Sequence, residues 1–257
     1  MTASVSLGIA GTLAPDLVAG IARAAEDAGL HALWVNDTPD GDALVRLAAA
    51  AAVTSRLGLS TGVLPLDRRP AASLPGEIGP AVPASRLTLG IGSGALRRGA
   101  LACVADGIRT LRAAGGFRIL VGALGPRMRR LGAEDADGVL LSWLTPGVAA
   151  AQAAEAREAR AGAVAALYVR TAFDPDGGAR LREEAARYGS YPQYAANFAR
   201  LGIAPGDTVL TADDGDVAAG LAAYREAVDE VVLRAIVAEE TLPAYREFID
   251  RAAQALA

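Results

Sequence analysis

Residues 118–146 read RILVGALGPRMRRLGAEDADGVLLSWLTP, and this stretch decides the fold. It opens on the apolar run RILVG, turns through Gly122 and Gly125, and restarts at Pro126 in a helical pattern. Proline suits a first helical position, because its missing N–H would have no partner there anyway. A second apolar run, GVLLS, follows at residues 138–142. Strand, helix and strand in so short a span predict a βαβ unit, with the two strands side by side and parallel.

The same alternation extends in both directions. Upstream, β-rich runs stand at residues 5–10, 32–36, 57–64 and 87–91; downstream they stand at 165–170 and 230–236. Helical patterns cover residues 14–29, 41–54, 97–114 and 241–256. Eight strands, most of them followed by a helix, predict an α/β fold, a single (β/α)8 TIM barrel. One domain over residues 1–257 suits that architecture, since such barrels run to about 250 residues. A doubly wound sheet with a dinucleotide site is the competing architecture. Only GIGSG at residues 90–94 approximates its glycine fingerprint, and Arg97 stands where the third glycine belongs.

Composition removes whole classes of chemistry. All 25 basic residues are arginine, so Schiff-base lysines and the lysine of a phosphate-binding P-loop are excluded. One histidine, His31, and one cysteine, Cys103, cannot build a zinc site from those ligands. His31 precedes a strand, on the barrel face associated with stability. Cys103 sits in a helical run and reads as a small buried hydrophobe. A net charge of -4, with arginine pairs only at 68–69, 97–98 and 129–130, argues against nucleic acid as partner. No apolar run is long enough for a membrane span, and the N-terminal stretch lacks the basic region of a signal peptide. The lone cysteine fits a reducing, cytoplasmic compartment. Carboxylates, hydroxyls, tyrosines and backbone remain, and these suit positioning a cofactor better than supplying a nucleophile.

Function in a barrel sits at the C-terminal strand ends. Those ends carry Asn36 and Asp37, then Thr61, Gly62 and Val63, then Gly92, Ser93 and Gly94, then the loop after residue 121, then Ser142 and Trp143. The free N–H groups of the helix opened by Pro126 favour an anion. Arg127, Arg129 or Arg130 would add a charge to a phosphate bound there. The alternative is an ordinary turn with solvent-facing arginines.

These stretches resemble the luciferase-like monooxygenase and coenzyme F420-dependent oxidoreductase family of flavin- and deazaflavin-dependent (β/α)8 enzymes. The resemblance rests on LWVND (33–37), LGLSTGVLPLDRRPAASL (57–74), SRLTLGIGSG (85–94), residues 121–146, YPQYAANFARLG (191–202) and LAAYREAVDEVVLR (221–234). It implies a cofactor ring across the barrel mouth, touching Asp37, Gly62, Val63, Gly92 and Ser93. It also implies an irregular backbone around Thr61, Gly62 and Val63, and a phosphate held by Gly122, Ala123, Leu124, Gly125, Pro126 and Arg127. YPQYAANFARLG looks more like the deazaflavin branch, in which coenzyme F420 carries hydride without activating oxygen.

The chain departs from the family pattern in three places. It is shortened after the fourth strand, where the family inserts a substrate cover. Residues 73–85 break the third helix with Pro75, Pro80 and Pro83, and Thr38 stands where a histidine often follows the acid. The expected function is hydride transfer between a deazaflavin and a small organic substrate. An FMN-dependent monooxygenase is the alternative within enzymes, and a non-catalytic flavin-binding or interaction protein the alternative outside them. Asp37 and Glu77 are the acids to test for proton handling, and Tyr191 and Tyr194 are candidates for the substrate side. An uncovered mouth would favour pairing of two copies into a homodimer. The lysine-free, alanine- and arginine-rich composition fits a GC-rich bacterial genome.

Overall fold

Each apolar run becomes a strand in the computed structural model, which describes residues 2–212 and 216–256. The strands are β1 (Ser4–Ala10), β2 (Ala32–Asn36), β3 (Gly58–Pro65), β4 (Leu87–Gly92), β5 (Arg118–Gly122), β6 (Gly138–Ser142), β7 (Val164–Ala172), β8 (Leu210–Thr211) and β9 (Glu230–Ala235). Neighbours run in the order β6-β5-β4-β3-β2-β1-β9-β7, and β6 also pairs with β7, so the parallel sheet closes on itself. The two residues of β8 pair only with the end of β7, outside that ring of eight. The eighth barrel strand is therefore β9, which occupies the apolar run at 230–236.

Helices return the chain between strands: α1 (Pro15–Asp27), α2 (Ala43–Ala51), α3 (Leu74–Ile78), α4 (Ala100–Ala114), α5 (Pro126–Asp135), α6 (Pro146–Ala159), α7 (Pro175–Ser190), α8 (Pro192–Leu201), α9 (Val217–Ala227) and α10 (Leu242–Gln254). Local chemistry starts them. Proline opens α1, α5, α6, α7 and α8. The Asp42 carboxylate accepts from Leu44 N and Val45 N at the start of α2, and Asp174 accepts from Gly177 N at the start of α7. In α1 the buried residues are Val18, Ile21, Ala22 and Ala25, the spacing of one helical face turned to the sheet.

Strand periodicity divides the core in two. Leu33, Val35, Leu167, Val169, Val231 and Leu233 face the helices, while Trp34, Leu120, Leu140, Tyr168 and Val232 fill the barrel interior. Each such fully buried aliphatic side chain contributes about 1.5–3 kcal/mol. Inside the barrel, Trp34 meets Tyr168 edge to face at 5.9 Å, and the Glu230 carboxylate accepts from Ser6 Oγ and Trp34 Nε1, both at 2.6 Å.

Three expectations need correction. The helical pattern starting at Arg97 becomes helix only from Ala100, because Gly99 takes a left-handed φ of 71° just before it. The proline-rich stretch after β3 keeps only the short helix α3, as proline removes the interior helix bonds. The barrel mouth is covered on one side and open on the other. Residues 93–99 after β4 form a short exposed loop, but α7 and α8, which the sequence pattern does not announce, place a helical pair beyond β7 instead.

Candidate active site

A cavity of about 1300 Å³ opens at the C-terminal end of the barrel. Every barrel strand contributes to its lining: Ala10, Asn36, Gly62, Gly92, Gly122, Leu140 with Ser142, Tyr168 with Arg170, and Arg234. Its two sides differ in chemistry.

The β3–β5 side is glycine-lined. The Gly62–Val63 peptide is cis, and the β3–β4 register shifts between Thr61 and Leu64, so the irregular backbone expected here is present. Asn36 Nδ2 donates to the Gly62 carbonyl from the neighbouring strand. The Val63 side chain lies over Gly92 and Gly122. A Cβ on Gly92 would stand 2.9 Å from Val63 Cγ2, and one on Gly122 would stand 2.7 Å from Val63 Cγ1. Only glycine lets Val63 settle there, and the result is an apolar shelf. Gly62 is equally constrained, since a Cβ would stand 2.3 Å from Tyr168 Oη. Two buried hydroxyls in the lining, Thr38 Oγ1 and Tyr168 Oη, have no hydrogen-bond partner among the described residues.

Beyond the shelf, the loop from Gly122 to Gly125 leads into α5. The Leu124 carbonyl accepts from Arg129 Nη1 at 3.0 Å and from Arg200 Nη2 at 3.3 Å, while Arg129 also holds Glu155 at 2.6 Å. Arg129 is buried and Arg130 pairs with Glu134, so both brace structure rather than face the loop's interior. Ala123, Leu124 and Gly125 line the cavity, as do Asp37, Val63 and Ser93, but Thr61, Pro126 and Arg127 do not. Thr61 is fully buried, its Oγ1 donating to Gly90 O at 3.0 Å. Arg127 is exposed on the first turn of α5.

The candidate acids are otherwise engaged. Asp37 borders the cavity, yet its carboxylate accepts from Arg69 Nη1 at 2.8 Å, Arg68 Nη2 at 3.1 Å and Ala43 N at 3.1 Å. Its side chain is 1% exposed. Glu77 lies outside the lining and holds Arg69 from the other side, with Nε at 3.1 Å. Both acids therefore anchor the loop after β3, and neither is free for proton transfer.

The β7–β9 side is polar and aromatic. Arg170 lies 4.0 Å over the Trp143 ring and 5.0 Å over Tyr188, donates to Ser142 Oγ at 2.6 Å and pairs with Glu184 at 3.2 Å. Tyr188 also packs against Tyr194 at 4.9 Å, and both rings line the cavity from α7 and α8. Tyr191 is 41% exposed and outside the lining. Burial pushes the Tyr168 hydroxyl far up and, with Tyr188 nearby, the Tyr194 hydroxyl up to about 12, so both remain proton donors at neutral pH. Sequence reasoning missed Tyr168, Arg170, Tyr188 and Arg234. For Tyr168, Arg170 and Arg234 the signal was a polar residue late in an apolar strand run, as in AALYVR and EVVLR; Tyr188, on α7, had no such signal.

Residues 4–96, covering β1 to β4, match the sequence model of the luciferase-like monooxygenase family. The first four strands carry the luciferase-like pattern. No curated protein matches the chain. As a fold, likeness to solved structures covers nearly all of it. The coenzyme F420-dependent tetrahydromethanopterin reductase of Methanopyrus kandleri is similar at a TM-score of 0.75 and 18% identity, over 98% of each chain. A monooxygenase from Streptomyces bottropensis is similar at 0.73 and 17%, again over 98% of each chain. The FMN-bound oxygenating constituent of 3,6-diketocamphane monooxygenase from Pseudomonas putida is similar at 0.67 and 17%, over 100% of this chain and 98% of that one. Identities this low establish a shared barrel, and users of both cofactors share it. Among the described residues no helix is long and apolar enough to cross a membrane.

Proposed function

We propose that this luciferase-like barrel is a coenzyme F420-dependent oxidoreductase, moving a hydride between the deazaflavin and a small organic substrate. The observation that carries this reading is the Val63 shelf on Gly92 and Gly122, a flat apolar wall inside the large mouth cavity. A planar ring fits against it, with the Thr38 hydroxyl, which lacks a partner among the described residues, within the same lining. Gly122, Ala123, Leu124 and Gly125 would hold the phosphate, in a loop clamped from behind by Arg129 and Arg200. Thr61, Pro126 and Arg127 take no direct part. When bound, the deazaflavin supplies two-electron hydride chemistry. The chain supplies orientation and fixed dipoles. Its cavity lining contains no histidine, cysteine or lysine, which fits a reaction whose chemistry resides in the coenzyme.

The exposed loop of residues 93–99 favours the deazaflavin over FMN-dependent oxygen chemistry. Oxygen activation needs a site closed to water, whereas direct hydride transfer depends mainly on positioning. The test is a titration of the purified protein with oxidised coenzyme F420 and, separately, FMN, followed by fluorescence. Micromolar binding of the deazaflavin with FMN ignored is the expected result. Tight FMN binding transfers the assignment to the monooxygenase, and binding of neither by folded protein removes the catalytic reading.

A further inference from the structure

Arg170 and Arg234 are register partners on the adjacent strands β7 and β9, and both line the mouth cavity. Two guanidinium groups side by side repel, so each needs a counter-charge. Arg170 has one in Glu184, and its remaining surface is taken up by Ser142, Trp143 and Tyr188. Arg234 has none: among the described residues it has no ion-pair partner, and it donates only to its neighbour's carbonyl, Ala235 O. Two residues below Arg170 on β7 stands Tyr168, a residue of the same lining, 4% exposed, whose hydroxyl is protonated, is packed beside Gly62 and has no acceptor among the described residues. One uncompensated guanidinium and one unused buried donor thus share a wall across from the Val63 shelf.

We propose that this wall is a subsite for a singly charged organic oxyanion, so that the substrate carries a carboxylate or sulfonate. Arg234 supplies the compensating charge, Tyr168 donates a hydrogen bond, and Tyr188 and Tyr194 flank the organic part. A monoanion matches the charge to be neutralised. The proposal deepens the oxidoreductase reading, because the anchored acid would be held facing the coenzyme, but anion binding itself does not require that reading to hold.

The probes are benzoate and methanesulfonate, with benzamide as the uncharged isostere of benzoate and inorganic phosphate as a dianion, each titrated calorimetrically into the full chain without coenzyme. Benzoate or methanesulfonate should bind at least about tenfold tighter than benzamide, as expected for a charge-assisted contact. Arg234→Gln should abolish that preference, Arg234→Lys should restore part of it, and Tyr168→Phe should weaken binding several-fold. The anion should also raise the melting temperature of the wild type but not of R234Q. R234Q itself should melt no lower than the wild type, since a repulsion is removed, and that shows a folded variant. Equal affinity for benzoate and benzamide, an anion preference that survives R234Q, or inorganic phosphate as the tightest probe would each overturn the subsite. Coenzyme F420 affinity of R234Q separates the two proposals. If F420 binding is lost together with benzoate, Arg234 belongs to the coenzyme and the substrate subsite fails while the oxidoreductase reading stands. If benzoate binds through Arg234 but no coenzyme binds at all, the subsite stands and the oxidoreductase reading fails.

Discussion

The mouth of the barrel is shaped by what certain residues lack. Gly62 approaches Tyr168 so closely that an added Cβ would lie 2.3 Å from its hydroxyl and 2.6 Å from Cε2. The Tyr168 ring cannot retreat, being packed edge to face on Trp34 and pressed by Gly8, where a Cβ would stand 2.8 Å from Cε1. Gly62→Ala should therefore cost about 1–3 kcal/mol through overpacking. In a Tyr168→Leu background that penalty should shrink, because the obstructing ring is gone. A double-mutant cycle from urea melts measures the coupling, and equal penalties in both backgrounds would contradict it. At the same scale, Asp37 changes meaning once its partners are visible. An acid at a strand end suggests proton handling, but one enclosed by Arg68 and Arg69 is a fastener for the loop after β3.

Elements are tied together by a few side chains that reach backbone. Glu26, at the end of α1, accepts from Ser55, Arg56 and Leu57 N at 2.7 to 3.1 Å, and so fixes the approach to β3. Burial opposes the charged form, but the backbone donors at Arg56, Leu57 and Ser55 outweigh it and bring the pKa from 4.5 to about 2. Since the folded value lies below the unfolded one, this contribution is complete above pH 4.5, declines as the pH falls toward 2, and is gone below that. The melting-temperature gap between wild type and Glu26→Gln should accordingly be widest near neutral pH and narrow steadily on acidification. A gap that does not change with pH would show that Glu26 acts by packing alone. The loop after β5 is secured in the same manner, by Arg129 from α5 and Arg200 from α8 on one carbonyl. The helices α7 and α8 thus serve twice, bracing that loop and bringing Tyr188 and Tyr194 over the cavity.

For the whole molecule, closure of the barrel depends on β9 entering between β1 and β7. Glu230 clasps that seam from inside, taking hydrogen bonds from Ser6 on β1 and Trp34 on β2 while only 6% exposed. Glu230→Ala would strand both buried donors. At about 1–3 kcal/mol for each unsatisfied group, the unfolding free energy from urea melts should fall by at least about 2 kcal/mol. A change within error would mean that the donors find other acceptors.

Most of the barrel was legible in the sequence because strand and helix periodicities are local, and each apolar run carried its own signal. Arg118–Gly122 and Gly138–Ser142 emerge with the bounds of RILVG and GVLLS. The α7–α8 pair is amphipathic, but it stands outside the one-helix-per-strand alternation from which the barrel was read, and part of its apolar face packs around Trp143 at the cavity edge. The glycine strand ends could also be found in advance, since a barrel places function at its C-terminal rim. What the sequence alone determined is the βα repeat, the exclusion of lysine chemistry and the glycine wall. Tertiary structure alone decided which charges are spent and which remain. Asp37 meets arginines about thirty positions away, and Arg170 meets Glu184 while Arg234 beside it meets no acid among the described residues. Electrostatic pairing acts through space, at distances that only closure of the barrel sets.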